Sequence, residues 1–310
     1  MNPKKILIVK HGSLGDIISA TTAFKSLRDK YSSSTIHLLT TEKYGNLLAN
    51  SNLFDEIIID NRNNYISSLK LIIKLIKYRY NLVVDLQNSQ RTMIYCLFFR
   101  ILSSTEWNGT RFGSTLKYIY DKKNPPHIIE GLANQIRLIS VDCKKKAYLD
   151  WLEKNYSLPK EIENVPFFII NPGCSKKNQQ KKWHALNYVK ICDYLISKKI
   201  KPVLIGSHED SEDISYIVSK TKSALNLLNL SPLSVIFSLS KHALGAVSND
   251  TGPAHLIAGT GCKIHLVLST FSKINLVIPK GENVSYTQKQ NINNIKPEEI
   301  ILELNKMLKI

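Results

Sequence analysis

The sequence predicts an α/β protein built on parallel sheets, and three observations predict it. Short apolar, β-branched runs alternate along the chain with amphipathic helical patterns, the order that gives strand–helix–strand crossovers. Several runs end in a glycine-bearing polar turn that opens directly into a helix, as at Gly12, Gly173, Gly206 and Gly252. The alternation is interrupted once, by a polar stretch over 155–166 that carries Pro159 and Pro166, so the elements fall into two series. A chain of 310 residues with 43% hydrophobic content can fill two cores. The expected division is a first domain over 1–158, a second over 159–296, and a C-terminal helix over 297–310 that packs back on the first.

The first series opens with a strand over 5–10, followed by Lys10-His11-Gly12-Ser13-Leu14-Gly15-Asp16. A helix then runs over 17–31, with Ile17, Ala20, Phe24, Leu27 and Tyr31 at three- and four-residue steps. Asp16 thus sits in the first turn of a helix at the carboxyl end of the first strand, the edge where open α/β sheets bind ligands. Gly12 and Gly15 do not make a dinucleotide fingerprint, and no P-loop lysine follows them. Two readings stand for Asp16 here: the last member of a Ser13-x-x-Asp16 capping box, or a group facing a ligand. Further strands are expected over 35–40, 56–60 and 81–86, with helices over 66–77, 91–102 and 127–141.

The second series has strands over 167–171, 202–205, 225–228, 245–248 and 264–268, and helices over 186–198, 213–220 and 232–241. Its first strand ends in Asn171-Pro172-Gly173, and a polar loop with Lys176, Lys177, Lys181 and Lys182 leads to Trp183. Lysines there either neutralise a phosphate or form a solvated charged loop; the second reading is preferred for Lys176 and Lys177. Glu209 and Asp210 follow Gly206, as ribose-binding acids or as helix N-terminal charge. The strand over 245–248 runs into Asn249-Asp250-Thr251-Gly252-Pro253-Ala254-His255. A helix starting there offers an anion its unsatisfied N–H groups; it is also an ordinary Asp cap with Pro in the first turn. Two such domains leave a cleft, with Asp16 on one wall and Asp250 on the other.

Composition narrows the partners. Lys and Arg number 42 against 25 Asp and Glu, a formal charge of +17 that favours an anionic partner. No nucleic-acid-reading motif accompanies it, so nucleic acid is not expected. No apolar run approaches the ~20 residues of a membrane span, and no signal peptide is expected. Over 66–80, Leu69, Ile72, Ile73 and Ile76 form an apolar stripe bordered by Lys70, Lys74, Lys77 and Arg79. That stripe either faces the core, with a solvated basic side, or lies on a membrane surface. The five cysteines are scattered without metal-ligand spacing and read as reduced thiols. No metal site is expected.

These residues in this order resemble glycosyltransferase family 9, the bacterial lipopolysaccharide heptosyltransferases. The matching pieces are Ile8-Val9-Lys10 through Gly15-Asp16, Asp85-Leu86-Gln87 with Arg91, Asn171-Pro172-Gly173, Lys181-Lys182-Trp183, Gly206 with its acids, and Asp250-Thr251-Gly252-Pro253-Ala254-His255. The resemblance runs along essentially the whole chain. It implies a GT-B fold of two Rossmann-like domains and an inverting, metal-independent transfer without a cofactor. The donor it implies is ADP-L-glycero-D-manno-heptose, and the acceptor an anionic lipopolysaccharide inner core or another lipid-linked glycan. By the same resemblance Asp16 is the general base, and Lys181, with Lys182 the second choice, meets the donor phosphate. Glu209 and Asp210 stand where the ribose is held, Asp250 where the donor sugar is, and Thr251, Gly252 and His255 around the diphosphate. Gln87, Arg91, Arg111 and His127 fall where the acceptor is received. The implied location is cytoplasmic, peripheral at the anionic inner face of the inner membrane. His184 and Ser269-Thr270-Phe271 depart from the family pattern on the donor side. Two alternatives follow: a same-fold transferase using another nucleotide sugar for lipopolysaccharide, O-antigen or capsule, and a non-catalytic nucleotide-sugar or anionic-glycan binder.

Overall fold

The structure is a computed structural model that describes residues 4–143, 146–153 and 157–309; the side chains of Lys176 and Lys177 lie outside the described residues. The chain divides into two compact units, Met1–Trp151 and Leu152–Ile310. The boundary falls ahead of the proline-bearing stretch. Tyr148 and Trp151 pack against the core of the first unit, whereas Ile162, inside that stretch, is buried. Residues 155 and 156 of the expected linker lie outside the described residues.

The first unit runs β1 (Lys5–Val9), α1 (Leu14–Lys30), β2 (Thr35–Thr40), α2 (Glu42–Leu48), β3 (Glu56–Ile59), α3 (Tyr65–Lys77), β4 (Leu82–Asp85), α4 (Gln90–Leu102), β5 (Glu106–Gly109), β6 (Leu116–Lys117) and α5 (Ile128–Arg137). Its six parallel strands lie in the order β3-β2-β1-β4-β5-β6. The strand order therefore reverses between β1 and β4, where Val9 pairs with Asp85. Side chains alternate along each strand, so both faces need cover. Ile6 and Ile8 of β1 pack with Ile17, Phe24 and Leu27 of α1 and Leu132 and Ile136 of α5. Leu7 and Val9 pack on the other face with Ile72 and Leu75 of α3 and Tyr95, Cys96 and Phe99 of α4.

The second unit runs β7 (Phe167–Asn171), α6 (Ala185–Ser197), β8 (Lys201–Gly206), α7 (Ser211–Lys220), β9 (Leu225–Leu228), α8 (Leu233–His242), β10 (Ala246–Asn249), α9 (Gly252–Gly259), β11 (Ile264–Ser269), α10 (Ile274–Val277), β12 (Val284–Lys289) and α11 (Pro297–Leu308). Its six strands take the same order, β12-β11-β10-β7-β8-β9, reversing between β7 and β10. Both units are thus Rossmann-like. The C-terminal helix is built into the second unit, with Ile300 and Leu304 of α11 in one core cluster with Tyr188, Cys192 and Leu195 of α6. Five elements are additional to those expected: β5, β6, β12, α2 and α10. All are short or half-exposed; β6 has two residues, and no residue of edge strand β12 is fully buried.

All five cysteines are free. Burial pushes the Cys174 thiol up to about 11 and those of Cys96, Cys192 and Cys262 to about 12. No helix among the described residues is long and apolar enough to cross a membrane.

Candidate active site

The turn after β1 is shaped by one glycine. Gly12 has φ +92°, and a Cβ there would run into the Tyr44 ring of α2, so no other residue fits without strain. The turn places Ser13 as the N-cap of α1 and Asp16 three residues on. The Ser13 backbone N–H donates to Asp16 Oδ2 at 2.9 Å, and the Ser13 hydroxyl donates to the same oxygen at 3.1 Å. The capping-box reading of the sequence is therefore right as far as it goes. It occupies one oxygen; Oδ1 has no hydrogen-bond partner among the described residues.

Asp16 lines a cavity of about 280 Å³ in the first unit, at the reversal of strand order. Lys10 and Asp16 come from the β1 side, Gln87 and Asn88 from the end of β4, Thr110 and Tyr118 from beyond β5, and Gln135 from α5. Lys10 is buried, and its Nζ donates to the Leu86 carbonyl at 3.1 Å. Burial lowers its pKa, against the pull of Asp16 and Asp85. Gln87 Oε1 accepts from the His11 N–H at 2.9 Å, which ties the two loop ends together. Asp85 is buried, and Oδ1 accepts from the N–H groups of Gln87 and Asn88 at 3.0 and 2.9 Å. Burial outweighs those bonds and pushes its carboxyl up to about 6.

Three further residues expected at the acceptor already have partners within the first unit. Arg91 is committed to Asp60: Nε donates to Oδ2 at 3.0 Å and Nη2 to Oδ1 at 2.7 Å, with a further bond to Ser68. The Tyr95 hydroxyl donates to the same carboxylate at 2.8 Å, and His11 Nε2 stands 3.3 Å away, out of hydrogen-bond alignment. Burial alone would raise the Asp60 pKa; these partners instead hold it far below the carboxylate range. Arg111 donates to the Asn88 carbonyl at 2.6 Å and is itself exposed. His127 is the buried N-cap of α5, its Nδ1 accepting from the Ile129 N–H at 3.3 Å. Of the four expected acceptor residues, only Gln87 lines the cavity.

In the second unit, the ends of β7 and β10 are locked together at the reversal of strand order. Asn171 Nδ2 donates to the hydroxyls of Ser248 and Thr251 at 2.7 and 2.8 Å. Asn249 Nδ2 donates to the Pro172 carbonyl at 2.7 Å and accepts at Oδ1 from the Tyr188 hydroxyl at 2.9 Å. This frame holds Asp250 and the start of α9, for which Thr251 is the N-cap and Gly252 the first residue. Pro253 has no N–H, and that of Ala254 bonds to the Thr251 carbonyl, so Gly252 carries an N–H the helix cannot satisfy. His255 is half-buried in the same turn. Lys181 Nζ lies 2.7 Å from Asp250 Oδ2, which also accepts from the Ser272 hydroxyl at 2.8 Å. Lys182 instead pairs with Asp213 of α7, which separates the two neighbouring lysines.

Asp210 serves as a structural cap. Its Oδ1 accepts from the Cys174 N–H at 3.2 Å, and Oδ2 accepts from the Ser207 N–H at 2.9 Å and hydroxyl at 3.0 Å. It presses so close to Gly173 that a Cβ there would stand 2.7 Å from Oδ1. Glu209 is exposed beside it. Among residues that carry these sites, sequence reasoning missed Asn88, Thr110, Tyr118, Gln135 and Ser272. Gln135, polar on the buried side of an amphipathic helix, carried a legible signal.

A family model for glycosyltransferase family 9 (heptosyltransferase) matches residues 68–264. Lipooligosaccharide heptosyltransferase 2 of Haemophilus ducreyi is 23% identical, over 98% of this chain and 99% of its own. Lipopolysaccharide heptosyltransferase 1 of Campylobacter coli is 22% identical, over 96% and 97%. Among solved structures, E. coli ADP-heptose lipopolysaccharide heptosyltransferase II superposes with a TM-score of 0.77 at 20% identity, covering 98% of each chain. E. coli heptosyltransferase WaaC with ADP-2-deoxy-2-fluoro heptose gives 0.74 at 14% identity, over 97% of this chain and 99% of that one. The two six-stranded parallel sheets are those of the GT-B fold.

Proposed function

The chain belongs to glycosyltransferase family 9, and from that premise we propose that it moves a heptose from ADP-L-glycero-D-manno-heptose to a hydroxyl of a lipopolysaccharide inner-core acceptor. In this reading the transfer inverts the anomeric carbon and needs no metal ion. It takes place at the inner face of the inner membrane, where the acceptor is anchored. The observation that carries the reading is Asp16: one oxygen is capped by Ser13, and the other has no partner among the described residues, on a carboxylate that lines the first unit's cavity.

The acceptor hydroxyl oxygen attacks the anomeric carbon as the bond from that carbon to the phosphate oxygen breaks. The electron pair leaves with ADP, and the hydroxyl proton goes to Asp16. Charge grows on the departing diphosphate. In the second unit the Lys181 ammonium and the Gly252 N–H are the groups suited to meet it. A diphosphate that takes over Lys181 leaves Asp250 to the Ser272 hydroxyl and to sugar hydroxyls. Among the described residues, no group of three or more His, Cys, Asp or Glu side chains could hold a metal ion.

The test is transfer by purified protein with a panel of ADP- and UDP-sugars on a core-oligosaccharide acceptor, with and without chelator, and NMR of the product's anomeric centre. ADP-heptose as the best donor, an inverted product and chelator resistance are the expected outcomes. A retained configuration refutes the mechanism; preference for another sugar refutes the donor and leaves the fold-level reading intact.

A further inference from the structure

We propose that the α3–α4 face of the first unit is the surface by which this protein docks on an anionic lipid bilayer. The sequence left the α3 stripe open between core and membrane, and the structure splits it. Ile72 and Leu75 go inward. Tyr65, Ile66, Leu69 and Ile73 stay out, with Tyr65 95% and Ile66 69% exposed. At about 100° per residue these four span one sector of roughly 100°, and Lys77, Lys70 and Lys74 occupy the sector beside it. An apolar strip bordered by lysines on the solvent side of a packed helix has no work to do in the core.

The neighbouring helix repeats the arrangement. Tyr95, Cys96 and Phe99 of α4 bury against the sheet, while Ile94, Ile101 and Leu102 are exposed, Ile101 at 80%. The turn beyond β5 adds Phe112, 71% exposed, beside Arg111. That turn is held to α4, because a Cβ on Gly113 would meet Leu97 at 3.1 Å. Helices α3 and α4 pack on each other over the same face of the sheet, so their outward sides form one surface. Eight of the twenty large apolar side chains exposed among the described residues lie here, where a soluble surface scatters them.

Charge selects the partner. From 61 to 105 the sequence has one acidic residue, Asp85, and it is buried. Lys70, Lys74, Lys77, Arg79 and Arg100 have no exposed acidic neighbour in the segment to balance them. Apolar side chains that enter the acyl boundary, with basic ends at the phosphates, suit an anionic bilayer. A second copy of this chain would bring the same lysines face to face across a two-fold axis. The turn that carries Phe112 also leads to the cavity. Thr110 N–H donates to Asn88 Oδ1 at 2.7 Å, and Thr110, Asn88, Tyr118 and Tyr120 all line it. Docking by this face therefore brings the Asp16 cavity to the surface that holds a lipid-anchored acceptor, a consequence that rests on the function proposed above.

The experiment is co-sedimentation of the full chain, without donor, with phosphatidylcholine vesicles and with vesicles that also carry phosphatidylglycerol. The protein is expected to partition onto the anionic vesicles only. Lys70→Glu/Lys74→Glu/Lys77→Glu should weaken partitioning on the order of a hundredfold, and Ile66→Asp/Ile101→Asp on the order of tenfold. Lys198→Glu/Lys220→Glu/Lys222→Glu makes the same change in net charge on exposed positions of the second unit and should stay within about threefold of wild type. Equal loss in that control, equal binding to neutral vesicles, or a concentration-dependent dimer that Ile66→Asp/Ile101→Asp abolishes would each overturn the proposal. Transfer to a delipidated acceptor should be unchanged in the α3 variants. If wild type binds vesicles but transfers no heptose, the proposed function fails and the docking face stands.

Discussion

Asp16→Asn separates two jobs that one side chain holds. In the cap, Oδ2 accepts from the Ser13 N–H and hydroxyl at 2.9 and 3.1 Å. An amide oxygen can accept the same pair, so the cap survives and what is lost is the charge at the α1 N-terminus. That costs about 0.3–1 kcal/mol, a melting shift of a few degrees at most. As a base the amide is useless, since it cannot take the acceptor proton. Loss of that assistance is roughly 10²- to 10⁴-fold in kcat, or about 2.7–5.4 kcal/mol of barrier. Donor KM should move little, because the interaction is made only as the proton transfers. Ser13→Ala is the converse variant. It removes the hydroxyl donor, costs about 0.5–1 kcal/mol of stability, and leaves the base in place, so kcat should stay within a few-fold. The assay is a steady-state donor titration on one acceptor, with thermal melting of both proteins. Transfer by the Asp16→Asn protein within about threefold of wild type, matched by Ser13→Ala, would reduce Asp16 to a helix cap.

Lys181→Ala should lower kcat on the order of a hundredfold and weaken donor binding, whereas Lys182→Ala, which loses only its pair with Asp213, should stay within a few-fold; equal effects in donor titrations would mean that neither lysine meets the diphosphate. Arg91→Met should destabilise the first unit by roughly 3 kcal/mol in urea unfolding, because Asp60 is buried and relies on that guanidinium; a loss under about 1 kcal/mol would return Arg91 to the pool of free ligand-binding cations. Asp85 has a carboxyl raised from 3.8 to about 6, so the stability it contributes is present below pH 4 and lost as pH rises through 6. About two pKa steps are worth roughly 3 kcal/mol, so Asp85→Asn should gain up to that much on wild type between pH 4 and pH 8, and parallel stability–pH curves for the two proteins would refute the assignment.

What the sequence made legible was whatever is encoded locally. The strand–turn–helix units around Asp16 and Asp250 could be placed because strand, turn glycine and first helical turn lie within a dozen residues of each other. The pairing of Lys181 with Asp250, 69 residues on, carries no local signal, and the resemblance named both residues without joining them. Arg91 shows the same limit: nothing near it in the chain shows that Asp60, 31 residues earlier, closes on its guanidinium. Asp210 is the instructive case, because Ser207-x-x-Asp210 has the spacing of the Ser13-x-x-Asp16 box and forms the same pair of hydrogen bonds. The two differ only in what reaches the second oxygen. At Asp210 the Cys174 N–H takes it, from a loop 36 residues away, and at Asp16 no described residue does. The cavity beside Asp16 was the least legible part, since its walls come from five separate segments of the first unit.

Two copies of one architecture divide the proposed chemistry by the charge at their helix starts. A helix N-terminus attracts anions until an acid occupies its first turn. In α1 that acid is Asp16, so the partial positive end is already answered, and a phosphate placed there would meet a carboxylate. What remains is a fixed anion suited to a hydroxyl proton. In α9 the first turn has no acid, and the nearest one, Asp250, is balanced by Lys181 and bonded by Ser272. There the N–H of Gly252 and the ammonium stay open to a phosphate that displaces the pair. The assignment of base to the first unit and diphosphate to the second thus rests on local charge as well as on resemblance. It has a consequence for a double variant. Asp16→Asn combined with Lys181→Ala should lose transfer by about the product of the two single losses, since the residues act on different reacting atoms and share no partner. A double loss no larger than the greater single one would mean that both act on one step through one site, and the division by charge would fall.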